Sequence, residues 1–284
     1  MKRNRCIFLV CLLLAVLLAV PAHADTGPKP SVRLSFTGAE GMEYCVTLLS
    51  EQDRYGPNYA YRGTNKQDGG NEAIWEKFVN YEDADGFYFL QEWRECTESH
   101  SFLWGYYPPN PFKVLVYFPA EDLFCVSPVY ERYAFDSYYS VDLSNRQSGA
   151  ITAERNYDYF WEVFSLWARI VITILVELGV ALLFGYRERR LLWFLLEVNV
   201  VTQVVLNVAL NVANYRSGAY SFVFTYVLAE LAVLALESVL YAVRFPTLSE
   251  KPQSRQKVLG YAFLANLTSF AAGLGIAHLI PGIF

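Results

Sequence analysis

Four carboxylates, Glu177, Glu197, Glu230 and Glu237, lie inside long apolar runs, with the amides Asn199, Gln203, Asn207, Asn211 and Asn266 and the cation Arg169. A carboxylate in hydrocarbon has three escapes: it takes up a proton, pairs with amide donors, or binds a cation. Proton uptake or cation binding would make these glutamates relay groups of a proton or cation pathway. Pairing would make them hydrogen-bonded struts between helices. Asn199, Gln203, Asn207 and Asn211 recur at every fourth residue. On a helix they form one stripe that drifts slowly round the axis. Facing lipid, that stripe would leave amide donors and acceptors unpaired, so it is expected to face other helices or a hydrated cavity.

A second constellation is Asp83, Asp85, Gly86 and Glu92, which match positions three, five, six and twelve of a calcium loop. Position one is Tyr81 rather than an aspartate, and FYFL at 87–90 reads as a strand rather than an exiting helix. The same residues also fit an Asp-Gly turn leading into that strand. Catalytic motifs are missing: the sequence has neither GxxxxGK nor HExxH, and its three histidines, His23, His100 and His278, are far apart. No enzyme activity and no cofactor are expected.

These residues must be positioned by helices. Four apolar stretches, 160–186, 191–213, 220–243 and 258–280, are long enough to cross a bilayer at about 20 residues each. The connections after the first and third carry Arg187, Arg189, Arg190, Arg244, Lys251, Arg255 and Lys257, whereas that after the second carries only Arg216. The positive-inside rule places the basic loops in the cytoplasm. Measured along untilted helices, Glu177, Glu197, Glu237 and Asn266 then fall about 5–8 Å to the cytoplasmic side of their span centres. Gln203 and Glu230 fall near the middle. Small residues Ala271, Ala272, Gly273, Gly275 and Ala277 offer a face for close packing, and His278 lies at the outer end of the last span.

Residues 1–24 read as a signal peptide: Lys2, Arg3 and Arg5 precede the apolar run 6–20, and Ala22-His23-Ala24 is a cleavage site. An external domain is then expected over 25–155. It carries 20 acidic against 11 basic side chains, a balance opposite to that of a nucleic-acid surface. Alternation at Val32, Leu34 and Phe36, at Tyr44, Val46 and Leu48, and at Phe112, Val114, Val116 and Phe118 predicts strands. Further strands are expected over 102–107 and 125–139, one helix over 71–80, and a mobile glycine-rich loop over 56–70. The sum is a sandwich-like β-rich domain. The tyrosine-rich segment 130–139 serves either as core or as a binding surface. With Cys6 and Cys11 in the signal segment, the mature chain keeps Cys45, Cys96 and Cys125. An odd number permits at most one internal bridge, for which Cys45–Cys96 is a candidate pair. Cys125, in LFCV, also suits a core position.

At FKVLVYFP (112–119), YERYAFDSYY (130–139) and ANLTSFAAGLG (265–275) the chain resembles a group of uncharacterised bacterial integral membrane proteins. The resemblance implies a signal peptide, an outer domain and a four-span C-terminal half, and brings no activity or site residues. The expected protein is a multi-pass bacterial plasma-membrane protein with an exported β-rich binding or interaction domain on a polar-cored four-helix bundle. A component of a proton, cation or small-polar-solute transporter or channel is the alternative. Its partners would be the lipid bilayer and either a second copy or another membrane protein.

Overall fold

A computed structural model describes residues 29–66 and 70–277. The expected signal peptide, His278 and the end of the chain lie outside the described residues. The chain forms two units that meet in sequence between Tyr157 and Asp158.

The first unit is built on two sheets. One has the order β11-β10-β1-β7, from β1 (Ser31–Thr37), β7 (Ser101–Trp104), β10 (Asp136–Asp142) and β11 (Ala153–Arg155). The other runs β5-β2-β8-β9, from β2 (Cys45–Ser50), β5 (Tyr88–Phe89), β8 (Phe112–Phe118) and β9 (Leu123–Val126), with β6 (Arg94–Glu95) also on β2. A two-stranded ribbon of β3 (Arg54–Tyr55) and β4 (Asn58–Tyr59) occupies part of the expected loop over 56–70, whose residues 67–69 are not described. The central pair β1–β10 is parallel; every other named strand pair is antiparallel.

The core lies between the two sheets. Val32, Leu34 and Phe36 meet Val46, Leu48, Phe112, Val114, Val116 and Phe118, all buried. β2 and β8 are buried along their whole length, not on alternate residues. The cause is α1 (Glu72–Val79), which covers the outer face of that sheet with Ile74, Trp75 and Phe78 packed on Leu49, Leu115 and Tyr117. α1 begins where Asn71 Oδ1 accepts a hydrogen bond from the Ala73 amide at 3.0 Å and ends at Asn80. The tyrosine-rich segment is largely core: Tyr139 is buried, and Tyr130 and Tyr133 pack against the same cluster.

The calcium-loop residues are bound otherwise. Lys113 Nζ, on β8, lies 2.9 and 2.8 Å from the two Asp83 carboxylate oxygens and 2.5 Å from Asp85 Oδ2. Asp83 Oδ2 also accepts from the backbone amides of Asp85 and Phe87, at 3.0 and 3.2 Å. Glu92 pairs with Arg94 at 3.6 Å. The Asp-Gly turn is therefore closed on a lysine; a cation would have to displace its ammonium group. Among the described residues no cluster of three or more His, Cys, Asp or Glu could hold a metal.

The Cys45–Cys96 pairing is not formed. All three described cysteines are free and buried. Cys45 pairs across the ladder with Glu95 and faces the helix-covered side of the sheet, whereas Cys96 and Cys125 lie in the core between the sheets. Burial pushes the thiols of Cys45 and Cys96 up to about 12 and that of Cys125 to about 11, from an ordinary 9.0. All three should therefore resist iodoacetamide at pH 8 in the folded protein and be alkylated in urea, with mass spectrometry reading both states. Rapid labelling of the native chain would contradict the burial.

The second unit is all helical: α2 (Tyr159–Leu183), α3 (Arg189–Gly218), α4 (Tyr220–Leu248) and α5 (Arg255–Ala277). Each is long and apolar enough to cross a membrane. α3 and α4 run several residues past the predicted bounds and are separated only at Gly218, whose φ of 79° and ψ of 177° suit glycine alone. Glu188 accepts hydrogen bonds from Ser249 Oγ and the Glu250 amide, both at 2.9 Å. The start of α3 and the end of α4 thus meet, and the two form a hairpin. α2 and α5 pack on each other, and both pack on the hairpin.

Candidate functional site: a polar layer in the helix bundle

Valines at 200, 201, 204, 205 and 208 on α3 are exposed, and Asn199, Gln203 and Asn207 on the opposite side are buried to 2% exposure or less. The fourth-residue spacing therefore turns amides into the bundle and valines to its outer surface, the arrangement expected of a helix in hydrocarbon. Asn211, one turn further, is half-buried and accepts from Arg169 Nη2 at 3.2 Å. Arg169 also stacks over the Phe222 ring. The embedded arginine thus pairs with an amide and an aromatic face.

Four helices bring carboxylates, hydroxyls and amides to one level. Glu237 on α4 has no exposed surface; its Oε1 accepts from Thr202 on α3 and its Oε2 from Asn266 on α5, each at 2.8 Å. Glu177 on α2 is equally buried and its Oε1 accepts from Ser269 on α5 at 3.1 Å. Ser269 lies one turn beyond Asn266, so α5 links the two glutamates, which are close enough to interact electrostatically. Asn199 completes the level through Tyr241, whose hydroxyl it approaches at 3.4 Å.

Apolar clusters flank this level on both sides, and the second of them also holds Arg169, stacked on its Phe222, and the polar side chains of Asn207, Asn211 and Glu230. One contains Leu191, Leu195, Tyr241, Phe245, Tyr261 and Ala265. The other contains Leu206, Leu210, Phe222, Tyr226 and Val233, with Phe270 against it. On α3 the clusters lie before Asn199 and after Gln203; on α4 they flank Glu237.

Around this level the hydrogen-bond account does not close. Glu177 Oε2, Asn199 Oδ1 and Asn266 Oδ1 have no hydrogen-bond partner among the described residues, nor has Gln203 Nε2; one turn further along α3, at the depth of the second cluster, Asn207 Oδ1 has none either. Buried polar atoms are rarely left so, and several at one level need a common cause.

Two of the sequence-selected glutamates stand apart. Glu197 is exposed and lines a cavity of about 810 Å³ with Arg189, Arg190, Trp193, Arg244 and Glu250 at the end of the bundle where α3 starts. It shares the depth of Glu177 and Glu237 but not their face, being two residues, about 200° of helical turn, from Asn199. Glu230 is half-buried and interacts with Tyr226 one turn earlier on α4. Sequence reading did not single out Thr202, Ser269 and Tyr241. The small-residue face of α5 is used at Gly273, where an added Cβ would come within 2.5 Å of the Tyr226 hydroxyl, but not at Gly275, which has nothing within 4 Å.

No protein-family model matches this chain, and no curated protein is similar to it at a meaningful level. The comparisons leave a β-rich N-terminal domain followed by four long apolar helices, and any reading of function rests on the site itself.

Proposed function

We propose that this is a multi-pass plasma-membrane protein of a bacterium that holds its β-rich domain outside the cytoplasm as a binding or interaction module. The observation that carries the reading is the division of α3 into a valine face and a buried amide face, the pattern of a helix whose surroundings are lipid on one side and protein on the other. Its orientation follows from the basic connections around 187–190 and 244–257. The exposed apolar faces of the four helices can meet lipid, a second copy of the chain or another membrane protein. Reporter fusions test the orientation. Alkaline phosphatase joined after Tyr157 should be active, and a fluorescent protein joined in the connection at Lys251 should fluoresce in the cytoplasm. The opposite pattern would reverse the topology and withdraw the exported-domain reading.

A second reading, a component that moves protons, cations or a small polar solute, is favoured by the paired buried glutamates and the unpaired oxygens beside them. Neither reading gives the protein an enzymatic step.

A further inference from the structure

We propose that Glu177, Glu237, Asn199, Asn266, Thr202 and Ser269 form a binding site for a desolvated monovalent cation, sodium or potassium, in the polar level of the bundle. The inference deepens the second reading above and rests on the helices being in a membrane.

The donor set comes first. Every named side chain offers oxygen, the ligand type of hard cations, and none offers sulfur or imidazole. The oxygens come from all four helices, so one ion would cross-link the bundle. Three of them, Glu177 Oε2, Asn199 Oδ1 and Asn266 Oδ1, have no hydrogen bond of ordinary geometry although their residues are at most 4% exposed, and the Asn199 side chain lies beside the Glu177 carboxyl. The amide nitrogens of the two asparagines are already used: Asn266 Nδ2 donates to Glu237 Oε2 at 2.8 Å and to the Ala262 carbonyl at 3.0 Å, and Asn199 Nδ2 donates to the Leu195 carbonyl at 2.9 Å. Those bonds fix which end of each amide is free, and in both it is the oxygen.

Counting protons then separates the occupants. A proton on Glu177 Oε2 supplies one donor, which can serve one amide oxygen and leaves the other orphaned. A cation accepts lone pairs from all three. A divalent ion fits less well, because both Glu237 oxygens and one Glu177 oxygen already hold donors, so the site lacks the free carboxylate oxygens such ions gather. The titratable or charged groups around the site are Arg169 on α2, Tyr226, Glu230 and Tyr241 on α4, and Tyr261 on α5; the charged side chain of α3 at this depth, Glu197, is exposed on another face of the helix.

The test uses the full chain in lipid nanodiscs, with thermal unfolding followed by circular dichroism at fixed ionic strength. Choline chloride is exchanged for sodium, potassium or calcium chloride. A saturable rise in Tm with sodium or potassium is expected, since an ion that binds only the folded bundle stabilises it by mass action. Glu177→Gln should abolish the rise, and Asn266→Ala should shift its midpoint by about ten-fold or more. Glu177→Gln keeps the shape of the level, and the wild-type titration stands whether or not the variants fold. No rise above choline, a rise with calcium alone, or an undiminished rise in Glu177→Gln would each overturn the site; the first result would leave buried water as the partner of the orphaned oxygens. A chain that fails to enter lipid at all would overturn the membrane reading instead, and this inference with it.

Discussion

Lys113→Ala should be among the most damaging single substitutions in the β-rich unit, costing about 3–5 kcal/mol. The reason is the carboxylate left behind. Asp83 and Lys113 have side chains 1% and 4% exposed, so the charge of Asp83 would lose its counter-ion without gaining water. Two backbone amides would still donate to it, and those bonds set the lower end of the range. Asp85, with a side chain 67% exposed, keeps its hydration, and Asp85→Ala should cost under about 1 kcal/mol. Replacing both members, Lys113→Met with Asp83→Asn, should cost much less than the single change, because no buried charge remains. Urea denaturation of the full chain, with proteolysis reporting the β-rich unit, reads the difference as a midpoint lowered by roughly 1.5–2.5 M for an m value near 2 kcal/mol/M. Equal losses in the single and double variants would refute the argument. Burial by itself would lower the lysine, but its hydrogen bonds and charge interactions with Asp83 and Asp85 outweigh that and hold it above its ordinary 10.5. Its contribution is therefore complete below that value and fades only as the pH rises through the higher folded one.

The same cluster shows where sequence reading stops. Asp83, Asp85 and Glu92 have calcium-loop spacing, but what occupies Asp83 and Asp85 is a lysine 30 residues from Asp83, on a strand whose alternation marks it only as core. Spacing records neighbours along the chain, and an ion pair across a turn is not one of them. The strands at 31–37 and 112–118 and the helix at 72–79 were legible because period and caps are local properties. The helix laid over the second sheet was not, so β2 and β8 read as half-buried when both of their faces are covered. In the bundle, the amide period of α3 carried enough angular information to fix which side faces inward. Depth carried none, and it grouped Glu197 with Glu177 and Glu237 although its face points away. Counting 100° per residue from Asn199 would have separated them. Thr202 and Ser269 escaped notice because hydroxyls in apolar helices usually bond their own backbone, as both also do here.

Glu237→Ala should be the costliest change in the polar layer, about 2–5 kcal/mol, and the size of the loss distinguishes two pictures of it. If Glu237 were only a pair of interhelical hydrogen bonds, at about 0.6 kcal/mol each in a membrane, its removal would cost little more than 1 kcal/mol. The structure argues for more. Thr202 and Asn266 would lose their shared acceptor and keep only backbone carbonyls of their own helices, and the deleted atoms would leave a void. Glu237→Gln keeps the volume and one acceptor but turns an amide nitrogen toward a donor, and should cost about 1–2 kcal/mol. Glu197→Ala, outside the layer, should stay within about 0.5 kcal/mol. Unfolding in mixed micelles of increasing denaturing-detergent content, followed by tryptophan fluorescence, ranks the three. Should Glu237→Ala prove as mild as Glu197→Ala, the layer would have to be open to water, and neither a buried polar core nor a dehydrated ion within it could stand.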